Sequence, residues 1–491
     1  MKFSASVLCA VLGAALCASA QPAVSDVTLS QDVNSCMVTV EYKLSETAIV
    51  TVDFLTNGVS IGGARFNNVV GDVHKVVSVG DGESGTVRKI WWRPEKGCRN
   101  ALLPRDLPVA VRVTAWATNT PPNYMVIRID SGTQHLPAAQ RTAYYETADA
   151  LPFPGGVTND LCKTDYLVFR KCPAANVKFR CGRAEGECNV AEATPPHYVK
   201  LTNDFYIGIY EMTQRQFEHL NVKIKYKDSG GATQYTNNLS FFTADHRMRP
   251  VENIGMHQLR GWVNYDGNNT IENGKRKYWP ESGHEIMKSN GTDATPNALW
   301  SVREITGQAF DLPTDAQWEF AARAGKGGVL PDGEILKLGS SADSPETLES
   351  TARVARYARC ELSMDITVAP ENAVATTPPS AGGTAIVGSY EPNDWGIYDM
   401  TGNVNEMCLD NYVLYNNTSY FADTSSDCVY VDPVGPSTIA NKDSNNNGRL
   451  RVIRGGSWKT GLGTTLVPYR NGVWGLSPNT DVGFRLCLTL P

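Results

Sequence analysis

No Cys-x-x-Cys spacing occurs in this 491-residue chain, although it holds twelve cysteines. Zinc ribbons are built on that spacing, so a ribbon is not expected. Beyond residue 20, no stretch approaches the roughly 18 apolar residues that a membrane-crossing helix needs, so no membrane span is expected. The net charge is −6, and no Lys/Arg-rich run stands out. A cationic face for nucleic acid or anionic lipid is therefore not expected either. His-Glu-x-x-His, Gly-x-Ser-x-Gly and the phosphate-binding loop are all missing, which removes the usual signatures of zinc proteases, serine hydrolases and nucleotide enzymes.

The chain begins with the pattern of a secretory leader. Lys2 supplies the positive charge, residues 7–16 an apolar core, and Ala18, Ser19 and Ala20 the small-residue cleavage pattern. Residues 1–20 are expected to be a signal peptide, with an exported protein starting at Gln21: secreted, periplasmic or at the cell surface. Leaving out Cys9 and Cys17, ten cysteines remain. An even count in an exported chain favours disulfides. Cys36 and Cys98 are expected to pair. Cys162, Cys172, Cys181 and Cys188 are expected to form two local bridges, with three pairings open. Cys408 and Cys428 are close enough in sequence to pair, which leaves Cys360 and Cys487.

Residues 21–130 read as a β domain. Segments 37–44, 49–55, 109–116 and 124–129 alternate apolar and polar residues, and Thr56, Asn57 and Gly58 mark a turn. Strands at this spacing predict a small β-sandwich of immunoglobulin or fibronectin type, serving as a spacer or as a docking unit. Trp91, Trp92 and Trp116 are candidates for its core or for a binding surface. Residues 131–160, rich in Ala, Thr and Pro, read as a linker. In the remainder, residues 161–491, two helices announce themselves through their caps. Thr213 precedes one, with Gln216 three residues on. Thr314 precedes the other, which runs from Asp315 to a stop at Gly325. Residues 256–263 predict a further helix, with Leu259 and Trp262 facing inward. Residues 221–300 and 326–390 otherwise read as loops. Near the C-terminus Val452 and Ile453 form a short buried strand, followed by Gly455, Gly456, Ser457 and Trp458. Residues 483–488 alternate like a last strand, with Phe484, Leu486 and Leu488 on one face.

Four of these segments, in this order, resemble the formylglycine-generating enzyme family, also called the sulfatase-modifying factor family. They are FYIGIYEMTQRQF (205–217), FDLPTDAQWEFAARAG (310–325), GIYDMTGNVNEM (396–407) and the C-terminal RGGSW with GFRLCL. The resemblance implies a loop-rich, C-type-lectin-like domain. The expected fold is therefore α+β, a β-sandwich followed by that domain.

The resemblance also implies chemistry. In the family, the positions matching Asp399, Gly402, Val404 and Glu406 bind a structural calcium, two through side chains and two through carbonyls. Both side-chain positions hold acids here, and hard cations take oxygens of this mixed kind, so Ca²⁺ is expected. The family's other calcium site is not expected, because Arg359 falls where an Asn ligand would lie. A second pattern, Asp443, Asn445, Asn447 and Gly448, matches half of an EF-hand loop and is read as a solvated turn. Members that make formylglycine oxidise a substrate cysteine with O₂ at a copper-binding cysteine pair. That pair falls three and eight residues after the serine of the GGS motif, where this chain has Thr460 and Thr465. Alcohols do not replace thiolates on Cu(I), so copper is not expected. The tryptophan of the family's NVWEW is likewise Asn405. An iron-dependent branch uses His-x-x-x-His-x-Glu, a spacing the seven histidines never form. The expectation is a non-catalytic or divergent member binding a peptide, glycan or protein partner through Ser457, Trp458, Thr460, Thr465, Tyr469, Arg470, Trp474 and Arg485. The alternative is a sulfatase-directed oxidase with relocated metal ligands.

Overall fold

The computed structural model describes residues 21–32, 34–65, 68–80, 85–94, 109–183, 195–222, 224–227, 233–243, 247–260, 297–335, 345–361, 383–414, 428–435, 450–475 and 478–491. The expected signal peptide, Cys98, Cys188, Trp262 and the Asp443–Gly448 pattern lie outside those residues. The chain divides into two compact units. Of the described residues, one holds those within 21–128 and 132–162, the other those within 129–131 and 163–491. Most of the expected linker, 131–160, thus belongs to the first unit, where Thr142–Tyr145 pairs with Tyr124–Arg128.

In the first unit Val38–Leu44 is flanked by Val24–Gln31 and Val87–Trp92. A second sheet pairs Ala48–Thr56 with Val109–Trp116, Val59–Ser60 and Lys75–Val77. Strict alternation puts Val38, Val40, Tyr42 and Leu44 inward, where they meet Val50, Val52, Phe54, Val111 and Val113 from the other sheet in one core. The expected turn is a two-residue hairpin. Asn57 and Gly58 both have positive φ, 52° and 76°, as a turn matched to strand twist requires. The three tryptophans separate. Trp92 packs on Phe54 at 4.6 Å in the core. The Trp116 indole donates to Thr51 Oγ1, and Trp91 is exposed.

The second unit is built around Asn405–Asn411, buried along its whole length, between Leu450–Arg454 and Val482–Gly483. Arg470–Trp474 closes the edge beside Leu450–Arg454. A separate ladder runs Tyr166–Cys172, Phe205–Gly208, Cys487–Thr489. Thr314 caps the helix Asp315–Arg323 as expected, in a capping box completed by Gln317, and the helix buries Trp318, Ala321 and Ala322 in the core that these strands share. Thr213 and Gln216 cap Gln214–His219 in the same way. Two further helices were not expected: Ala298–Thr306, which begins at the end of one stretch read as loop, and Pro345–Tyr357, which lies within another. Residues 256–263 give the helix Met256–Arg260, with Leu259 fully buried.

The expected last strand, 483–488, is interrupted: Val482–Gly483 and Cys487–Thr489 are separate short strands, and Phe484, Arg485 and Leu486 between them are irregular. Phe484, Leu486 and Leu488 are buried, but so are Arg485 and Cys487. Both faces are covered, because Arg485 finds an internal carboxylate. The thiols differ too. Cys36, Cys172, Cys408, Cys428 and Cys487 are free, so the expected Cys408–Cys428 bridge is absent. The Cys408 thiol is fully buried on the strand Asn405–Asn411 and donates to the Glu406 carbonyl.

Candidate functional site

The turn after Leu450–Arg454 is made by Gly455 and Gly456, at φ 88° and 72°. A Cβ on Gly456 would lie 2.6 Å from the Thr464 carbonyl oxygen, so the loop passes itself too closely for any other residue. Its threonine hydroxyls are spent on its own backbone. Thr460 Oγ1 accepts from Ser457 N at 2.8 Å and donates to Ser457 O at 3.0 Å. Thr465 Oγ1 donates to Leu462 O at 2.9 Å and is fully buried. Both threonines therefore hold turns, as side chains of this type do. Cys360 packs with Leu462 and Leu466, and the next residue, Glu361, donates its N–H to Thr460 O.

Beside this loop, Asp481 is the polar hub, and sequence reasoning did not single it out. Its Oδ2 accepts from Ser457 Oγ at 3.1 Å and Asn405 Nδ2 at 3.2 Å, and its Oδ1 faces Lys459 Nζ at 2.8 Å. The Trp458 indole donates to Thr480 O. The same ring meets Phe242 edge-on at 5.1 Å.

The other expected lining residues lie elsewhere. Tyr469 packs in the cluster of Leu462 and Leu466. Trp474 sits half-buried on the edge strand, opposite Leu450. Arg470 and Arg485 line no surface, because buried carboxylates claim both. Arg470 Nη2 pairs with Asp315 Oδ2 at 2.8 Å, in a cluster where Arg454 bridges Asp315 and Glu319 and Arg323 holds Glu319. Burial alone would raise Glu319, yet Arg323 and Arg454 hold its carboxyl at about 2. These charges are architectural. They tie the helix Asp315–Arg323 to the sheet.

Arg485 belongs to the expected calcium positions. Its Nη2 and Nε grip Glu406 Oε1 and Oε2 at 2.5 and 2.6 Å, and its remaining donors reach the carbonyls of Gly208 and Tyr398. Trp318 Nε1 adds a bond to Glu406 Oε2 at 2.7 Å. Asp399 is buried with φ 55°. Its Oδ2 accepts from Gly388 N, and its Oδ1 is enclosed with no hydrogen-bond partner. Glu211, also fully buried, accepts from Val404 N and Asn403 Nδ2. Burial, then the charges of Asp399 and Glu406, push Glu211 well above the carboxylate range. Burial likewise raises Asp399 to about 6. Three buried carboxylates thus face one guanidinium. Of the two expected side-chain ligands, Asp399 has an oxygen without a partner, whereas both Glu406 oxygens are already held by Arg485 and Trp318. Among the described residues no three His, Cys, Asp or Glu side chains converge as a metal site. The expected set has only two such side chains, its other donors being carbonyls.

Comparison with known proteins finds that residues 173–490 match the family model described as a sulfatase-modifying factor enzyme 1-like domain. A formylglycine-generating enzyme of Streptomyces coelicolor is 28% identical over 204 residues, which are 40% of this chain and 50% of that one. Its counterpart from Thermomonospora curvata is 26% identical over 291 residues, 57% of this chain and 79% of that one. The chain thus spans half the length of the first relative and about four-fifths of the second. Among solved structures, Treponema denticola variable protein 1 aligns with a TM-score of 0.38 and 22% identity, covering 66% of this chain and 96% of that one. PvdO from Pseudomonas aeruginosa aligns with a TM-score of 0.41 and 18% identity, covering 66% and 95%.

Proposed function

This chain belongs to the sulfatase-modifying factor enzyme 1-like family, and from that premise we propose that it is a binding member which does not generate formylglycine. One observation supports the reading. The hydroxyls of Thr460 and Thr465, the residues that the resemblance sets at the family's copper-cysteine positions, are both consumed by the turn they sit in. A hydroxyl has no redox chemistry and does not hold Cu(I). Among the described residues Cys360 is the one cysteine packed with this loop, where a pair is required.

What remains beside the loop is a recognition face of Trp458, Lys459, Asp481 and Phe242, to which a peptide, glycan or protein partner would bind. Aromatic rings next to a few fixed polar groups make good anchors. Calcium is part of the same proposal. Asp399 and Glu406, with the carbonyls of Gly402 and Val404, would hold it, and it would neutralise buried charge and stiffen the turn. The proposal extends to export, on the strength of residues 1–20 alone. It extends also to an immunoglobulin or fibronectin type for the first unit, acting as spacer or docking partner.

The test is to titrate the full chain with Cu(I) and incubate it, under O₂, with a cysteine-containing sulfatase peptide. The expected result is neither stoichiometric copper nor aldehyde. Copper uptake together with aldehyde would instead establish an oxidase with relocated ligands.

A further inference from the structure

Next to Trp458 lies a surface that neither the family's chemistry nor the internal ion pairs explain. Phe241 is 69% exposed, a large ring left in water. It meets Phe242 edge-on at 5.1 Å, and Phe242 meets Trp458 in the same way at 5.1 Å. Gly383 backs the central ring so closely that a Cβ there would lie 2.8 Å from it.

Behind the rings is Glu252, fully buried. Its Oε1 accepts from the Phe242 N–H at 2.9 Å, and its own N–H donates to Ser240 Oγ. Its Oε2 is enclosed and has no hydrogen-bond partner. The neighbouring acid, Asp481, is already served by Lys459, Ser457 and Asn405. No Lys, Arg or His among the described residues pairs with Glu252. A carboxylate buried without a counter-charge is costly, and its burial raises it to about 7.

We propose that this face receives a lysine side chain from a peptide partner, its methylenes against Phe241, Phe242 and Trp458 and its ammonium on Glu252 Oε2. The inference rests on the binding reading above and names its ligand. Aromatic faces attract cations, and the acid behind them supplies the opposite charge. Lysine fits better than arginine, because only one carboxylate oxygen remains. A forked guanidinium needs two oxygens, whereas an ammonium is a point donor. Entry requires only the Phe241 ring to swing aside; that ring is 69% exposed, while Phe242 keeps its N–H on Glu252 Oε1 and its packing on Trp458.

The experiment uses the full chain and two probes, N-acetyl-lysine amide and N-acetyl-norleucine amide, alike in their methylenes and different in charge. Saturation-transfer NMR should show the lysine probe bound about tenfold more tightly, the worth of one charge-assisted hydrogen bond. Glu252→Gln, which keeps the size, should bring the two probes level. Phe241→Ala should weaken both, with thermal melting showing that the variants are folded. No binding of the lysine probe, or a preference that survives Glu252→Gln, overturns the proposal. Equal binding of both probes, lost in Phe241→Ala, would overturn the lysine assignment while keeping the face as a binding site. Aldehyde formation in the copper assay would remove the binding reading itself.

Discussion

Arg485→Met is the perturbation whose outcome the interior geometry fixes most tightly. The guanidinium is fully buried, grips both oxygens of Glu406, and serves the carbonyls of Gly208 and Tyr398. Breaking one half of a buried pair costs about 3–5 kcal/mol. Each carbonyl left unpaired adds about 1–3 kcal/mol, less whatever water recovers. A loss of at least about 4 kcal/mol follows at neutral pH, a large fraction of typical net stability. The loss should depend on pH, and its sign can be derived. Asp399 is raised to about 6, above its ordinary value, and Glu211 is raised as well. With Arg485 gone both rise further, so the native variant binds more protons than its unfolded chain, and its stability falls as pH rises through that window. Urea unfolding of the calcium-free chain, in chelator, followed by tryptophan fluorescence at about pH 7.5 and about pH 5.5, reads both effects. Trp318 touches Glu406 directly and reports on the site. A loss below about 1 kcal/mol, or one equal at both pH values, would refute the reasoning.

Other outcomes follow from single sites. Calcium should raise the melting temperature of the native chain and leave Asp399→Asn unmoved; indifference of the native chain, with no calcium retained on dialysis, would remove the ion from the account. Glu319 is held at about 2, so the stability it confers is complete above the ordinary glutamate value and lost as pH falls from about 4.5 to about 2. Glu319→Gln should flatten that part of the acid-unfolding curve. Gly456→Ala should cost about 1–3 kcal/mol through positive φ and the clash with Thr464, measured by denaturant melts. Thr314→Ala should cost about 1 kcal/mol, the worth of its cap on the helix Asp315–Arg323.

The sequence was most legible where local chemistry decides structure. Both capping boxes, the Asn57-Gly58 hairpin and the buried strand around Val452 are set by residues a few positions apart. Pro345–Tyr357 was hidden because its polar run shows an inward side only once Val354, with Ala358 just past its end, has a core to meet. The site was half legible. Thr460 and Thr465 could be placed from the GGS motif, but their back-bonding to Ser457 and Leu462 could not. Arg470 and Arg485 were expected at a surface. Their carboxylate partners, Asp315 and Glu406, are distant in sequence, so no spacing rule exposed the pairs. Asp481 and Glu252 were missed for the same reason: isolated acids gain meaning only from what the fold sets against them.

The central claim concerns sulfur at one loop. An anaerobic Cu(I) titration of the reduced full chain against a competing chelator, followed by O₂, the cysteine peptide and mass spectrometry, addresses it directly. The account predicts no stoichiometric, tightly held copper and a peptide that keeps its cysteine. One copper per chain, with the cysteine converted to an aldehyde, would contradict it.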